Sequence, residues 1–239
     1  MLAYADAERE LGVDVGSTAA TGVLVTGDST SLAIAVGLGN HGRLHGDVVV
    51  DWAGQIARPL LHANQMHNPV EGRDLPVAGC QSFPDLWARQ VRVFRPDVVL
   101  VVSSLVDASD LDFGTGWQHV GQQPYDDRYR AAMANAIDTF RKAGVTVLWA
   151  TAPKEQLPTA AATRTLNQRF QFLNRIIGAT VAAHGAHEVP YAAHIDTPNG
   201  SIDFNARPDG VHFTDEAATR IADESLPADV ITAAKDRPR

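Results

Sequence analysis

Ser29 ends the run Val23-Leu24-Val25-Thr26-Gly27-Asp28-Ser29, where an apolar, β-branched segment breaks into a Gly-Asp-Ser turn. Near the other end of the chain, Asp209-Gly210-Val211-His212 sets a carboxylate and an imidazole three residues apart. These are the parts of a Ser-His-Asp site. A serine hydroxyl is a poor nucleophile until a positioned imidazole takes its proton, and the imidazole needs a carboxylate to hold its second nitrogen. In a turn, the three-residue spacing lets Asp209 fold back onto Nδ1 of His212 and leaves Nε2 for the serine. Each part also has a plainer reading. Asp28 or Ser29 suits a helix N-cap, Asp209 a turn, and His212 a half-buried side chain. Finding both segments in α/β order favours the joint reading over either alone.

The elements that must position these residues follow from periodicity. Gly22 to Thr26 is a first strand, and Thr30 to Val36 has Leu32 and Val36 spaced for one helical face. Asp47 to Trp52 is a second strand. Val98 to Val102 is a third, apolar throughout, as a strand covered on both faces must be. Val145 to Ala150 and His187 to Tyr191 are a fourth and a short fifth. Phe83 to Phe94 suits a helix, and apolar residues recur at helical spacing from Tyr125 to Phe140 and from Leu166 to Val181. Thr214 caps a last helix, with Asp215 and Glu216 in its first turn. Alternating strands and helices predict one three-layer α/β/α domain on a parallel sheet, with active groups at the carboxyl ends of the strands. Gly54 to Pro84, irregular and rich in Gly, Pro, Asn and His, is a long excursion of the kind that often carries function. Residues 1–20 read as a flexible lead-in, 21–230 as the domain and 231–239 as a tail.

Gly27-Asp28-Ser29 after the first strand and Asp209-x-x-His212 before the last helix resemble the first and last sequence blocks of the SGNH (GDSL) hydrolases. These are esterases, lipases and acyltransferases. The chain is especially similar to the SGNH domains fused to membrane-embedded acyltransferases that O-acylate sugars. Arg95-Pro96-Asp97-Val98, Gly116-Trp117, Val147 to Pro153, Leu173-Asn174 and Asp209 to Thr214 carry that likeness in order, over roughly residues 20–228. The resemblance implies a flavodoxin-like five-stranded sheet without cofactor or metal. It implies that Ser29 is the nucleophile, His212 the general base and then acid, Asp209 its orienting partner, and Asp28 a support for the nucleophile turn. It further implies a small-molecule or carbohydrate acyl ester as substrate and a membrane acyltransferase as partner.

The middle blocks depart from that pattern. The family usually carries a glycine after the second strand and Gly-x-Asn after the third, both serving the oxyanion. Here Gly54 follows the second strand, while Ser103-Ser104-Leu105-Val106-Asp107 follows the third. The remaining oxyanion candidates are Ser29, Gly54 and Ser104. Removing one such donor costs ~3 kcal/mol of transition-state stabilisation. The departure keeps open a second reading, a non-catalytic module that binds glycan or a partner protein. A third, a flavodoxin-like regulatory domain, requires Ser29 and His212 to lie far apart.

Other residues carry weaker signals. His41-x3-His45 and His62-x4-His67 invite a metal reading, but Gly42 and Gly46 argue against a helix under the first pair, and solvated loop histidines are expected instead. Asp107, Asp110 and Asp112 read as a solvated acidic loop, and His184, His187 and His194 as surface or satisfied core groups. Gly37-Leu38-Gly39 is too short for a dinucleotide loop. Trp117 is the one tryptophan flagged for sugar stacking.

The totals set the outer bounds. A chain of 239 residues with 45% apolar content fits one sizeable domain with a proper core. A net charge of −8 argues against a nucleic-acid partner. One cysteine, Cys80, allows neither an internal disulfide nor a cysteine-based zinc site. Met1 to Gly16 lacks a signal-peptide pattern, and no apolar run approaches the ~18 residues that span a bilayer. The expectation is a soluble chain, cytoplasmic as it stands, or extracytoplasmic if tethered to a membrane acyltransferase.

Overall fold

The computed structural model describes residues 20–77, 82–197 and 201–235. Cys80, residues 1–19 of the expected lead-in and 236–239 of the expected tail lie outside the described residues. In chain order the elements begin with β1 (Thr21–Gly27), α1 (Ser29–His45), β2 (Val48–Trp52), β3 (Gln65–Asn68) and β4 (Arg73–Pro76). Then come α2 (Phe83–Phe94), β5 (Val98–Val102), α3 (Leu105–Ala108), β6 (Asp110–Asp112) and β7 (Trp117–Gln118). The second half holds α4 (Gln123–Lys142), β8 (Thr146–Ala150), α5 (Ala160–His184), β9 (His187–Val189), α6 (Tyr191–Ile195), α7 (Asp215–Glu224) and α8 (Leu226–Lys235).

Five parallel strands form the main sheet in the order β2-β1-β5-β8-β9. The chain steps outward from β1 to β2, then returns to the other side of β1 with β5. That reversal makes β1 and β5 the topological switch point of a flavodoxin-like sheet, where a crevice opens beyond the strand ends. The register pairs Val23 with Val98 and Gly27 with Val102, so both strands end together.

Strand residues alternate between two cores because successive side chains leave opposite faces of a strand. Val23, Val25, Val98, Leu100, Val102, Leu148 and Ala150 pack with α1, α7 and α8. Leu24, Val99, Val101, Val147 and Trp149 pack with α2, α4 and α5. All five residues of β5 are buried, the condition its continuous apolar run predicts. The expected three-layer α/β/α sheet is therefore the observed one.

Three local expectations are corrected. α1 runs to His45, well past Val36, although it contains Gly37, Gly39 and Gly42. A methyl group at Gly37 would overlap the Ala218 carbonyl of α7, and one at Gly42 the Val48 carbonyl entering β2. Those glycines are contact points between packed backbones rather than breaks. The excursion after β2 carries β3 and β4, which join β6 and β7 in a second, antiparallel sheet ordered β4-β3-β6-β7. Thr214 does cap α7, its hydroxyl accepting from the Ala217 amide at 3.2 Å, but α8 follows and runs into the segment read as a tail.

Gly27 ends β1 at φ +140°, and a methyl group there would overlap the carbonyl oxygen of Val102. Gly27→Ala is expected to cost about 2 kcal/mol or more, from backbone strain and steric overlap together. Urea unfolding monitored by tryptophan fluorescence checks this, and a loss under about 0.5 kcal/mol, the size of an ordinary surface change, contradicts it.

Candidate active site

The β1 side of the crevice is built around Asp28. This carboxylate is 1% exposed and caps α1, one oxygen accepting from the Thr30 amide at 2.9 Å and the Thr30 hydroxyl at 2.8 Å. The other oxygen accepts from the Ser104 hydroxyl, just past the end of β5. Burial pushes the Asp28 pKa up, while the hydrogen bonds from Ser104 and Thr30 hold it down. The Asp28 carbonyl accepts from the Ser31 hydroxyl at 2.6 Å, and the Trp52 indole N–H donates to that same hydroxyl at 2.8 Å. The turn carrying Ser29 is thus tied to α1, β2 and β5 at once. Asp28 is the N-cap, so the adjacent Ser29 side chain is not taken up in capping.

The other side is a loop between α6 and α7. Asp209 Oδ1 accepts from the backbone amides of His212 at 2.7 Å and Val211 at 2.9 Å, closing the turn foreseen from the three-residue spacing. Its Oδ2 lies 2.7 Å from His212 Nδ1, and His212 Nε2 lies 2.8 Å from Ser29 Oγ. Partial burial works to raise the Asp209 pKa, but the hydrogen bonds from the His212 ring and backbone outweigh it and hold the carboxylate below its ordinary value. A charged Asp209 fixes the tautomer that leaves Nε2 free to accept the serine proton. The 2.8 Å contact removes the reading in which Ser29 and His212 lie apart.

A buried anchor holds that loop against the segment after β8. Arg207 is 1% exposed, donates to the Lys154 carbonyl at 2.5 Å and lies over the Phe213 ring, its guanidinium carbon 5.3 Å from the centroid. The Gln156 amide donates to the Gly210 carbonyl at 3.1 Å. Glu155, also 1% exposed, accepts from the Leu105 amide. Burial drives its carboxyl well above the ordinary range, the nearby Asp28 charge adds to this, and Arg207 opposes it. Neither Glu155 nor Arg207 was found by sequence reasoning. The proximity of a charged residue after β8 to one in the histidine loop is visible only once the loops meet.

Of the oxyanion candidates, Ser29 and Gly54 offer backbone amides. Ala53 and Gln55, on either side of Gly54, donate to the carbonyls of Val25 and Gly27. This sets the register of Gly54 beside the end of β1. Among the described residues no group accepts from the amides of Ser29 or Gly54. The Ser104 hydroxyl is committed to Asp28, which leaves only its backbone for an oxyanion. No side-chain amide follows β5, and Val106 is buried in the core beside Leu105.

The secondary candidates disperse. Asp107 is no solvated loop residue: it is 4% exposed and accepts from the Leu60 amide at 2.8 Å, while Asp110 pairs with Arg169 at 3.0 Å. His67 bonds Asp74 at 2.8 Å across the second sheet, and His62 lies against Arg58 at 3.1 Å. Trp117 is 43% exposed on β7. His41 and His45 share one face of α1, contrary to the expected loop, and acidic groups do stand beside them.

A family model described as "Protein of unknown function (DUF459)" matches residues 82–228, more than half of the chain. The chain belongs to the DUF459 family. The matched stretch includes Asp209 and His212, while Ser29 precedes it. No curated protein matches the sequence. Among solved structures, the chain is similar to a GDSL-like lipase from Bacteroides thetaiotaomicron, with TM-score 0.62 and 14% identity over 96% of this chain and 97% of that one. It is similar to an aryl esterase of M. smegmatis, solved with inhibitor bound, with TM-score 0.57 and 14% identity over 90% and 100% of the two chains. An acetyl xylan esterase superposes with TM-score 0.53 and 17% identity over 84% and 96%. These likenesses establish the GDSL/SGNH fold.

Asp107 gives the site a pH signature. Burial, helped by the Asp28 charge, raises its pKa to about 7, against hydrogen bonds from Leu60 and Tyr129. The folded state then holds this proton more tightly than the unfolded chain, so the associated stability is complete below about pH 4 and is lost as pH rises through about 7. Asp107→Asn mimics the neutral acid at every pH. Its melting temperature is expected to fall less than that of wild type between pH 5 and 8, whereas parallel curves contradict the assignment.

Proposed function

We propose that the protein is a serine esterase of the SGNH type acting on O-acyl esters. The observation that carries this reading is the unbroken chain from Ser29 Oγ to His212 Nε2 and from His212 Nδ1 to Asp209, at 2.8 and 2.7 Å. Ser29 Oγ attacks the acyl carbonyl as His212 takes its proton. The amides of Ser29 and Gly54 receive the developing oxyanion. His212 then protonates the departing alcohol oxygen, leaving an acyl group on Ser29. A water molecule, deprotonated by the same Nε2, releases the acid and restores the hydroxyl.

The shape of the site supports a substrate class. His212 and Asp209 are 47% and 56% exposed at their side chains, so the histidine end of the site is open among the described residues. An open site suits the acyl group of a bulky alcohol, which supports an acylated carbohydrate. The acetyl xylan esterase with this fold lends the same support. The openness equally lets a sugar hydroxyl replace water in the second step, the acyltransferase alternative, in which a membrane acyltransferase supplies the acyl group. No helix among the described residues is long and apolar enough to cross a membrane, so such a partner would be a separate chain or segment. The binding-module reading draws on the single weakness of the site, the lack of a side-chain oxyanion donor after β5.

Hydrolysis of short-chain p-nitrophenyl esters separates these readings. Ser29→Ala is expected to lower kcat/KM by about 10³-fold or more, and Asp209→Asn by about 10²- to 10⁴-fold. A binding module predicts turnover equal in wild type and Ser29→Ala. Adding an acceptor sugar is expected to shift acyl from water to sugar only if the transferase alternative holds.

A further inference from the structure

The far end of α1 carries a second constellation, independent of the serine site. His41 and His45 are one helical turn apart on the same face, their rings stacked with centroids 4.3 Å apart. Asp223 of α7 reaches across the helix pair, its Oδ1 2.7 Å from His41 Nδ1. On the opposite side of the ring, His41 Nε2 lies 3.2 Å from the Asp47 carboxylate. The geometry points to a divalent transition-metal site, of zinc type, with His41, His45 and Asp223 as ligands and Asp47 orienting His41 from behind.

Four observations support the donor set. Two histidines at i and i+4 converge on one helical face, the spacing that lets a pair share an ion. The three donor atoms already lie within 4.8 Å of one another. A tetrahedral ion with bonds near 2.0–2.2 Å wants its ligands ~3.3 Å apart. The His41–Asp223 contact must therefore open by about half an ångström, and His45 must swing in by up to about 1.5 Å. His45 is exposed and free to do so, because among the described residues no group hydrogen-bonds its ring nitrogens. Asp47 on the remote nitrogen of His41 is the carboxylate–histidine arrangement that fixes the tautomer and strengthens the ligand.

Ligand chemistry selects the ion. Two imidazoles and one carboxylate suit zinc and its transition-metal neighbours, whereas magnesium and calcium prefer oxygen throughout. An open groove of about 600 Å³, lined by Asn40, Thr219 and Asp223 among others, adjoins the Asp223 ligand, and the exposure of His45 and Asp223 lets water reach the ion. His41 is twelve residues along α1 from Ser29, or ~18 Å at 1.5 Å per residue. The bound ion thus acts on stability, clamping α1 to α7, and not on the acyl chemistry.

Thermal unfolding of the chelator-stripped full chain tests the site, with zinc or magnesium chloride added. Zinc at a hundredfold excess over Kd is expected to raise Tm by about 5–10 °C in wild type, with magnesium giving no shift. Cobalt(II) is expected to develop the visible absorption of a tetrahedral site. His45→Ala, a surface change that leaves the fold alone, is expected to lose both responses, and Asp223→Asn to weaken them. Absence of a zinc shift in wild type, or an equal shift and cobalt spectrum in His45→Ala, overturns the assignment.

Discussion

Asp28 keeps a carboxylate almost entirely out of water, and the switch point of the sheet is assembled around it. One oxygen caps the helix that starts at Ser29, and the other takes the Ser104 hydroxyl from the end of β5. Stripping a carboxylate of water is costly, so the group is retained where hydrogen bonds compensate it. Those same bonds fix the direction in which the next residue points. Ser29 is therefore held by a helix terminus and two strands, with its amide left open. The raised pKa of Asp28 records its burial, and that of Asp107 records burial first, with the charge of Asp28 adding to it.

The histidine half of the site has no such helix terminus and is held by contacts between loops. Arg207 fills the space under the turn and grips the Lys154 carbonyl, while Gly210 receives the Gln156 amide. Glu155 links this region back to Leu105 beyond β5. The two halves meet through segments that follow β5 and β8, neighbours in the sheet. A substitution in the Lys154–Gln156 segment would thus act on His212 without touching it.

Much of this was legible in the sequence because the signals were local. The apolar run Val98–Val102 could only be a doubly covered strand, and the Asp209–His212 spacing could close only as a turn. What failed was equally physical. Gly42 reads as a helix breaker, but it and Gly37 mark where Val48 and Ala218 approach the α1 backbone. That error hid the shared face of His41 and His45. The second sheet escaped notice because its strands are two to four residues long, too short for alternation to show. Asp107 reads as a solvated acid and Glu155 carries no signal at all, since burial of a carboxyl is a property of the assembled fold and not of its neighbours in sequence.

The account turns on one atom, Ser29 Oγ, being the activated nucleophile among several nearby serines. Ser31, Ser103 and Ser104 all sit near the same strand ends, yet each hydroxyl is engaged with a partner other than His212. Peptide mapping by mass spectrometry after treatment with a fluorophosphonate distinguishes them directly. The account predicts a single covalent phosphonate on Ser29 that disappears in His212→Ala. A protein left unmodified, or labelled at Ser31, Ser103 or Ser104 instead, would contradict it.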